Sequence, residues 1–244
     1  DNHTNIIRAN ILRLLGYDVA TPLFFKNLKI NFDSEKARDE FIDKMGNDLT
    51  IVNAARVSYA KTKEQFEAKD EKLIAFLAKH GHWSPFGHAS LQFKIKAPIF
   101  VARQLVKHQV GLIWNEVSRR YVDYPPTLFE PDAWRGRPVS SKQGSAGEVK
   151  LDRTLQHVYK TAMEQCKILY NSLIGKNIAP EQARMVLPQS MMTEWLWSGT
   201  LYAFARVCNL RCKSDVQKET RNVAEYINSY CLYHFPISWD ALRL

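Results

Sequence analysis

The sequence lacks a secretory signal and any apolar run long enough to cross a bilayer, so no membrane partner is expected. Cysteine is scarce. Cys166, Cys208, Cys212 and Cys231 are too few and too scattered for a disulfide framework. Cys208 and Cys212 would lie one helical turn apart with no histidine nearby, which points to reduced packing thiols. A reducing, cytoplasmic setting is expected, in a bacterial cell or a virus-infected host. No internal repeat, low-complexity tract or basic arm is visible, because the cations are dispersed along the chain. What is present is 244 residues, enough for a sizeable core, with 34 Lys and Arg against 25 Asp and Glu. The resulting charge of +9 favours anionic partners such as nucleotides, dinucleotide cofactors or nucleic acid. The first residue is Asp1, so an upstream start is expected.

Periodicity predicts helices over Asn2–Gly16 and over Ser34–Met45, the second with Ser34 as N-cap and Gly46 closing it, and a strand within Thr21–Phe32. Asp70–His80 reads as a helix whose stripe is Leu73, Ile74 and Leu77, with Gly81 as its cap. Leu91, Phe93 and Ile95 alternate with Gln92, Lys94 and Lys96, the pattern of a half-buried strand. Pro98 then opens a helix over Ile99–Gln109, which places Arg103 and Lys107 one turn apart, and Gly111 ends it. Val122–Gly147, rich in Pro and Gly, is a long connection. The longest helix is expected over Glu148–Ile174, with Leu151, Leu155, Val158, Ala162, Leu169 and Leu173 as a plain core stripe. A proline-bracketed helix over Ala179–Pro188, a strand over Met192–Trp197 and helices over Leu201–Asn209 and Ser214–Tyr233 complete the reading, the last with a Ser214…Gln217 capping box.

The stretch from Arg103 to Tyr121 holds the densest chemistry. Arg103, Lys107, Arg119 and Arg120 surround Gln104, His108, Gln109, Asn115, Glu116 and Ser118. Cations, amides, a carboxylate and a hydroxyl so close together suit a phosphate and a planar heterocycle held side by side. A solvated helix followed by a salt-bridged loop would carry the same residues. His80, His82 and His88 suggest a metal site, but no acidic residue lies among them and no metal is expected. Ser118 has no base beside it in the sequence, so a binding hydroxyl is favoured over a nucleophile.

Lys107-His108-Gln109, eight residues, then Ser118-Arg119-Arg120-Tyr121 resembles the signature of the flavin-dependent thymidylate synthases, written R-H-R, seven residues, S, then R-Y. Both outer arginines are replaced and the loop is one residue longer. With three more motifs of that family, the signature stands in the expected order along the chain. His80-Gly81-His82-Trp83-Ser84-Pro85-Phe86-Gly87-His88 resembles its HGHxSPFxH stretch, Ala179–Pro188 its PxEQARxVLP segment, and Leu210-Arg211 its LR element. Where the family has a histidine four residues after that arginine, the chain has Asp215.

The resemblance covers residues 54–226 and implies one domain over 1–244, an α+β fold with a mixed or antiparallel sheet flanked by helices, and a homotetramer with shared active sites. It implies FAD as cofactor, with NADPH and 5,10-methylenetetrahydrofolate as co-substrates, and methylation of dUMP to dTMP. It places His82, Ser84, Lys107, His108, Gln109, Glu116, Tyr121 and Arg206 at the flavin and folate. Gln104, Ser118, Arg119, Arg120 and Arg184 would hold the nucleotide, with Glu116 between it and the flavin and Arg211 helping to ionise the pyrimidine. Replacement of the two arginines predicts altered FAD affinity. Two rival readings remain at this level: a dUMP or dCMP hydroxymethylase on the same scaffold, and a nucleic-acid-binding module. A catalytically dead relative is a third.

Overall fold

The computed structural model describes residues 40–140 and 143–243, within the unit Lys36–Leu244. The helix expected over Asn2–Gly16 and the strand within Thr21–Phe32 lie outside the described residues. Three strands, β1 (Glu40–Met45), β2 (Ser90–Pro98) and β3 (Leu112–Glu116), precede a small ribbon of β4 (Trp134–Arg135) with β5 (Glu148–Val149). The last strand is β6 (Met192–Thr200), and the main sheet runs in the order β1-β2-β6-β3. Every described pairing is antiparallel. Phe93 and Trp114 both stand opposite Trp197.

The sheet forms because its two central strands alternate. Leu91, Phe93, Ile95 and Ala97 of β2 are buried, as are Trp195 and Trp197 of β6, while Lys94 and Lys96 stay partly solvated. Trp114 stacks on Trp195 at 4.3 Å, extending the aromatic layer to the edge strand. Gly199 is required where β3 enters the sheet, since a Cβ there would meet the Gly111 carbonyl oxygen at 2.7 Å.

The helices are α1 (Asp48–Arg56), α2 (Ala68–Lys79), α3 (Ile99–Leu105), α4 (Arg153–Gly175), α5 (Pro180–Ala183), α6 (Leu201–Arg211), α7 (Lys218–His234) and α8 (Pro236–Leu242), of which α1, α2, α3, α6, α7 and α8 build the core with the sheet. The architecture is α+β, as expected. Asp48 ties the first helix to the last, its carboxylate accepting the Ser238 N–H at 2.9 Å and the Ile237 N–H at 3.2 Å. Asp70 is fully buried with Lys63, the Glu67 backbone N–H and Arg56 around it. Burial alone would raise its pKa, but those hydrogen bonds outweigh it and hold the carboxyl down at about 2.

Several expectations change. Residues 40–45, expected to end a helix, form β1, because pairing with β2 overrides their local preference. Gly46 then turns at φ 86° into α1, whose Asn47/Thr50 capping box was not read from the sequence. The helix from Ile99 stops at Leu105, so Lys107, His108 and Gln109 occupy the turn before β3 instead of a helical face. Asp152 caps α4, leaving residues 148–149 to β5. The stripe of α4 is not plain core: Leu155, Val158 and Leu169 are about half exposed and Tyr170 is the helix's buried residue. The Ser214…Gln217 box does not form, and Gln217 is an N-cap without a side-chain cap bond. Pro236, at a favoured first helical position, opens α8, a helix the periodic reading missed.

Candidate active site

The residues singled out in the sequence fall into one cluster fixed by hydrogen bonds and several exposed patches. The cluster forms where α3 and α6 end. Gln104, on the last turn of α3, donates from its side-chain amide to the Gln217 side-chain oxygen at 2.6 Å. Arg211, the last residue of α6, donates Nε–H to His108 Nε2 at 3.0 Å and Nη2–H to the Gln104 carbonyl at 3.3 Å. Nη1 of Arg211 has no partner among the described residues. A cavity of about 580 Å³ opens beside this group, lined by Gln104, Arg211, Gln217, Glu219, Arg135 and Tyr159. Arg135 holds its rim, its Nη2 donating to both carboxylate oxygens of Glu219 at 2.6 and 2.8 Å.

His108 gives this cluster its electrostatic character. Burial, then the charges of Arg211 and Arg206, push its pKa down to about 4. The imidazole is therefore neutral at pH 7 and accepts at Nε2, which assigns its remaining proton to Nδ1. A neutral acceptor on Nε fixes the plane of the Arg211 guanidinium and leaves its far edge toward the cavity.

The second group follows β3. Glu116 accepts from Thr193 Oγ1 at 2.7 Å and from Trp114 Nε1 at 3.1 Å, so its carboxylate is held in one place. Ser118 opens a turn, with its hydroxyl accepting the Arg120 backbone N–H at 3.3 Å. The exposed Arg120 guanidinium lies 5.0 Å from the Tyr121 ring centroid and donates to its hydroxyl at 2.9 Å. Arg119 does not join them. The residue is 6% exposed, and its guanidinium faces inward over the Tyr124 ring.

His82 and Ser84 are exposed on the loop after α2, where His82 stacks on Phe76 at 6.1 Å. Trp83 lies 6.3 Å from Tyr202 of α6 and is 58% exposed. Arg184 is exposed beyond α5, its Nε–H on the Glu181 carbonyl at 3.3 Å. Arg103, Lys107, Gln109 and Arg206 are also exposed, and no carboxylate among the described residues salt-bridges any of the three cations. No described contact joins Arg184, the Ser118–Tyr121 turn or the His82 loop to Arg211. Among the described residues no group of His, Cys, Asp and Glu is arranged to hold a metal. Among the described residues no helix is long and apolar enough to cross a membrane.

This donor set fits a flavin nucleotide. Uncompensated cations suit its phosphates, and the exposed Trp83 and Phe76 rings offer flat surfaces to its heterocycle. Gln217 is the functional candidate that sequence reasoning missed. In the sequence it stands as a cap residue, and only the fold brings it to Gln104.

Residues 40–237 match the family model for the thymidylate synthase complementing protein. The chain belongs to the flavin-dependent thymidylate synthase family. It is 35% identical over 209 residues to the flavin-dependent thymidylate synthase of Thermus thermophilus, covering 86% of this chain and 76% of that protein. With the enzyme of the same name from Kosmotoga olearia the identity is 36% over 213 residues, 85% of this chain and 90% of the relative. Among solved structures, a UMP/dUMP methylase from Streptomyces cacaoi bound with 5-Br dUMP superposes with a TM-score of 0.76 at 28% identity, spanning 84% of this chain and 94% of that one.

Proposed function

We propose that the chain transfers a one-carbon unit from 5,10-methylenetetrahydrofolate to C5 of dUMP and delivers dTMP, using FAD and NADPH. The observation that carries this reading is Arg211, locked by neutral His108 and the Gln104 carbonyl on the wall of a cavity of about 580 Å³. Uracil C5 is a poor nucleophile until the ring gains electron density. A guanidinium edge presented to the N3/O4 side stabilises that charge in proportion to how dry and preorganised the site is. Because His108 fixes the fork beforehand, Arg211 needs little reorganisation when the charge develops.

Gln104 and Gln217 supply amides beside it. Ser118, Arg120 and Arg184 hold the nucleotide through hydroxyl and guanidinium donors. Lys107, Gln109, Arg206, Ser84 and His82 would hold the flavin, and Glu116, fixed by Thr193 and Trp114, orients flavin or nucleotide. Bound there, the flavin supplies the reducing equivalents that convert the transferred unit to methyl. No described contact joins Arg184 or the Ser118–Tyr121 turn to Arg211, and α4 presents half-exposed Leu155, Val158, Ile168 and Leu169. Both features support a homotetramer in which one subunit's patches complete another's site. Four free cysteines support a reducing cytoplasmic setting.

Mass spectrometry of the products tests the assignment. The protein is incubated with FAD, NADPH and methylenetetrahydrofolate, in parallel with dUMP and with dCMP. NADPH-dependent dTMP from dUMP, and no product from dCMP, is expected. A hydroxymethylated nucleotide from either base would refute the assignment in favour of the hydroxymethylase.

A further inference from the structure

Arg119 is one residue from each of two proposed nucleotide-binding groups, yet its own guanidinium is withdrawn from solvent. The guanidinium carbon lies 4.3 Å from the Tyr124 ring centroid and 5.7 Å from that of Tyr170. Its Nη1–H donates to the Tyr124 carbonyl. Tyr170, fully buried on α4, sends its hydroxyl to the Val122 carbonyl at 3.5 Å. Between these contacts runs a tight turn: the N–H groups of Tyr121 and Val122 both meet the Ser118 carbonyl, at 2.9 and 3.3 Å. Among the described residues no carboxylate pairs with Arg119.

A buried cation without a counterion is costly, and an apolar side chain would fill the same space without that cost. What the guanidinium adds is direction. Its plane is held by two aromatic faces and a carbonyl, which a flexible apolar chain or an ammonium does not reproduce. With Arg119 drawn in, the exposed Arg120 guanidinium on the next residue stays on the outer side of the turn.

We propose that Arg119 is a positioning residue, a stacked lock that fastens the Ser118–Tyr124 turn to α4 and so presets Ser118 and Arg120 for the nucleotide. The inference rests on the reading above that those two residues bind dUMP. A preset turn lowers the cost of ordering on binding, so the lock acts on substrate affinity and leaves the reduction steps alone.

The test compares wild-type holoenzyme with Arg119→Met and Arg119→Lys. For both variants KM and Kd for dUMP should rise roughly tenfold, with kcat within about twofold of wild type. FAD content should not change. Hydrogen exchange at the Tyr121 and Val122 amides should speed up, while β2 and β6 amides keep their protection. Full rescue by Lys would show that charge alone matters and overturn the lock; so would an unchanged KM, or a loss confined to kcat. Should Arg119→Met fail to fold, Tyr124→Leu removes one aromatic face at a half-exposed position without leaving a new cavity in the core. The same rise in KM is expected there, and its absence overturns the proposal. A wild-type enzyme that does not bind dUMP would instead refute the reading of the site, and unaltered exchange at Tyr121 and Val122 in the variants would separately refute the lock.

Discussion

The helices α4 and α6 are both rich in apolar residues and meet opposite circumstances. α6 buries Leu201, Ala203, Phe204, Ala205, Val207 and Cys208 against the sheet and α7, and so delivers Arg211 to a fixed address. α4 is twice as long, buries Tyr170, and leaves Leu155, Val158, Ile168 and Leu169 about half exposed. Periodicity says that a face will be covered; it does not say by what. The same division runs through the site, where Gln104, His108, Arg211 and Gln217 are set by the chain's own core while Arg120, Arg184 and His82 lie at the surface beside half-buried Ser118.

The largest effect is expected on the fixed side of this comparison. Arg211→Gln should lower kcat by about 100-fold or more, since it removes a preorganised cation from where charge develops. The melting temperature should move by only a few degrees, because Arg211 caps no core cavity. A variant retaining more than a tenth of wild-type kcat would show that the cluster is structural.

On the other side, Leu155→Glu with Val158→Glu should dissociate the assembly as read by analytical ultracentrifugation. Activity should fall in step, with far-UV circular dichroism unchanged, because both side chains are already about half exposed. An intact, active assembly would place the interface elsewhere.

A smaller effect concerns His108. Its folded pKa, near 4, lies below the ordinary 6.5, so the stability tied to its neutral form is complete above about pH 6.5 and is lost as pH falls toward 4. His234, pushed down to about 4 by burial and then by Lys44, loses stability over the same window. In urea titrations, His108→Gln should flatten part of the decline between these limits and leave the share that belongs to His234. An identical pH dependence in the variant would contradict the burial argument.

The smallest effect is on the exposed turn. Lys107→Arg with Gln109→Arg should tighten FAD binding by several-fold, because two planar forks replace a point charge and an amide. Flavin fluorescence titration measures this, and an unchanged affinity would remove Lys107 and Gln109 from the flavin site.

Much of the fold was legible because alternation in β2 and β6 and the apolar period of α2, α6 and α7 coincide with burial. β1 was not, since an edge strand takes its conformation from its partner and residues 40–45 have no alternation strong enough to announce it. The site was legible as a list of residues and not as an arrangement. Lys107-His108-Gln109 reads as one triplet, yet the turn sends His108 inward to Arg211 and leaves its neighbours outside. Arg119 and Arg120 are the same residue type in sequence, and only packing against Tyr124 and Tyr170 separates a buried guanidinium from an exposed one. Gln217 became visible only once α3 and α7 were brought together.

The central claim is that a fixed cluster in one chain works with exposed patches of another. Complementation between two inactive variants tests it most directly. Arg211→Gln and a double variant, Ser118→Ala with Arg120→Ala, are co-expressed with different tags, purified as mixed assemblies and assayed for dTMP formation. If sites are shared, one site in each mixed pair carries none of the substitutions, and activity returns although each parent is inactive. Mixed assemblies as inactive as their parents would mean that each chain builds its site alone, and the account would be wrong.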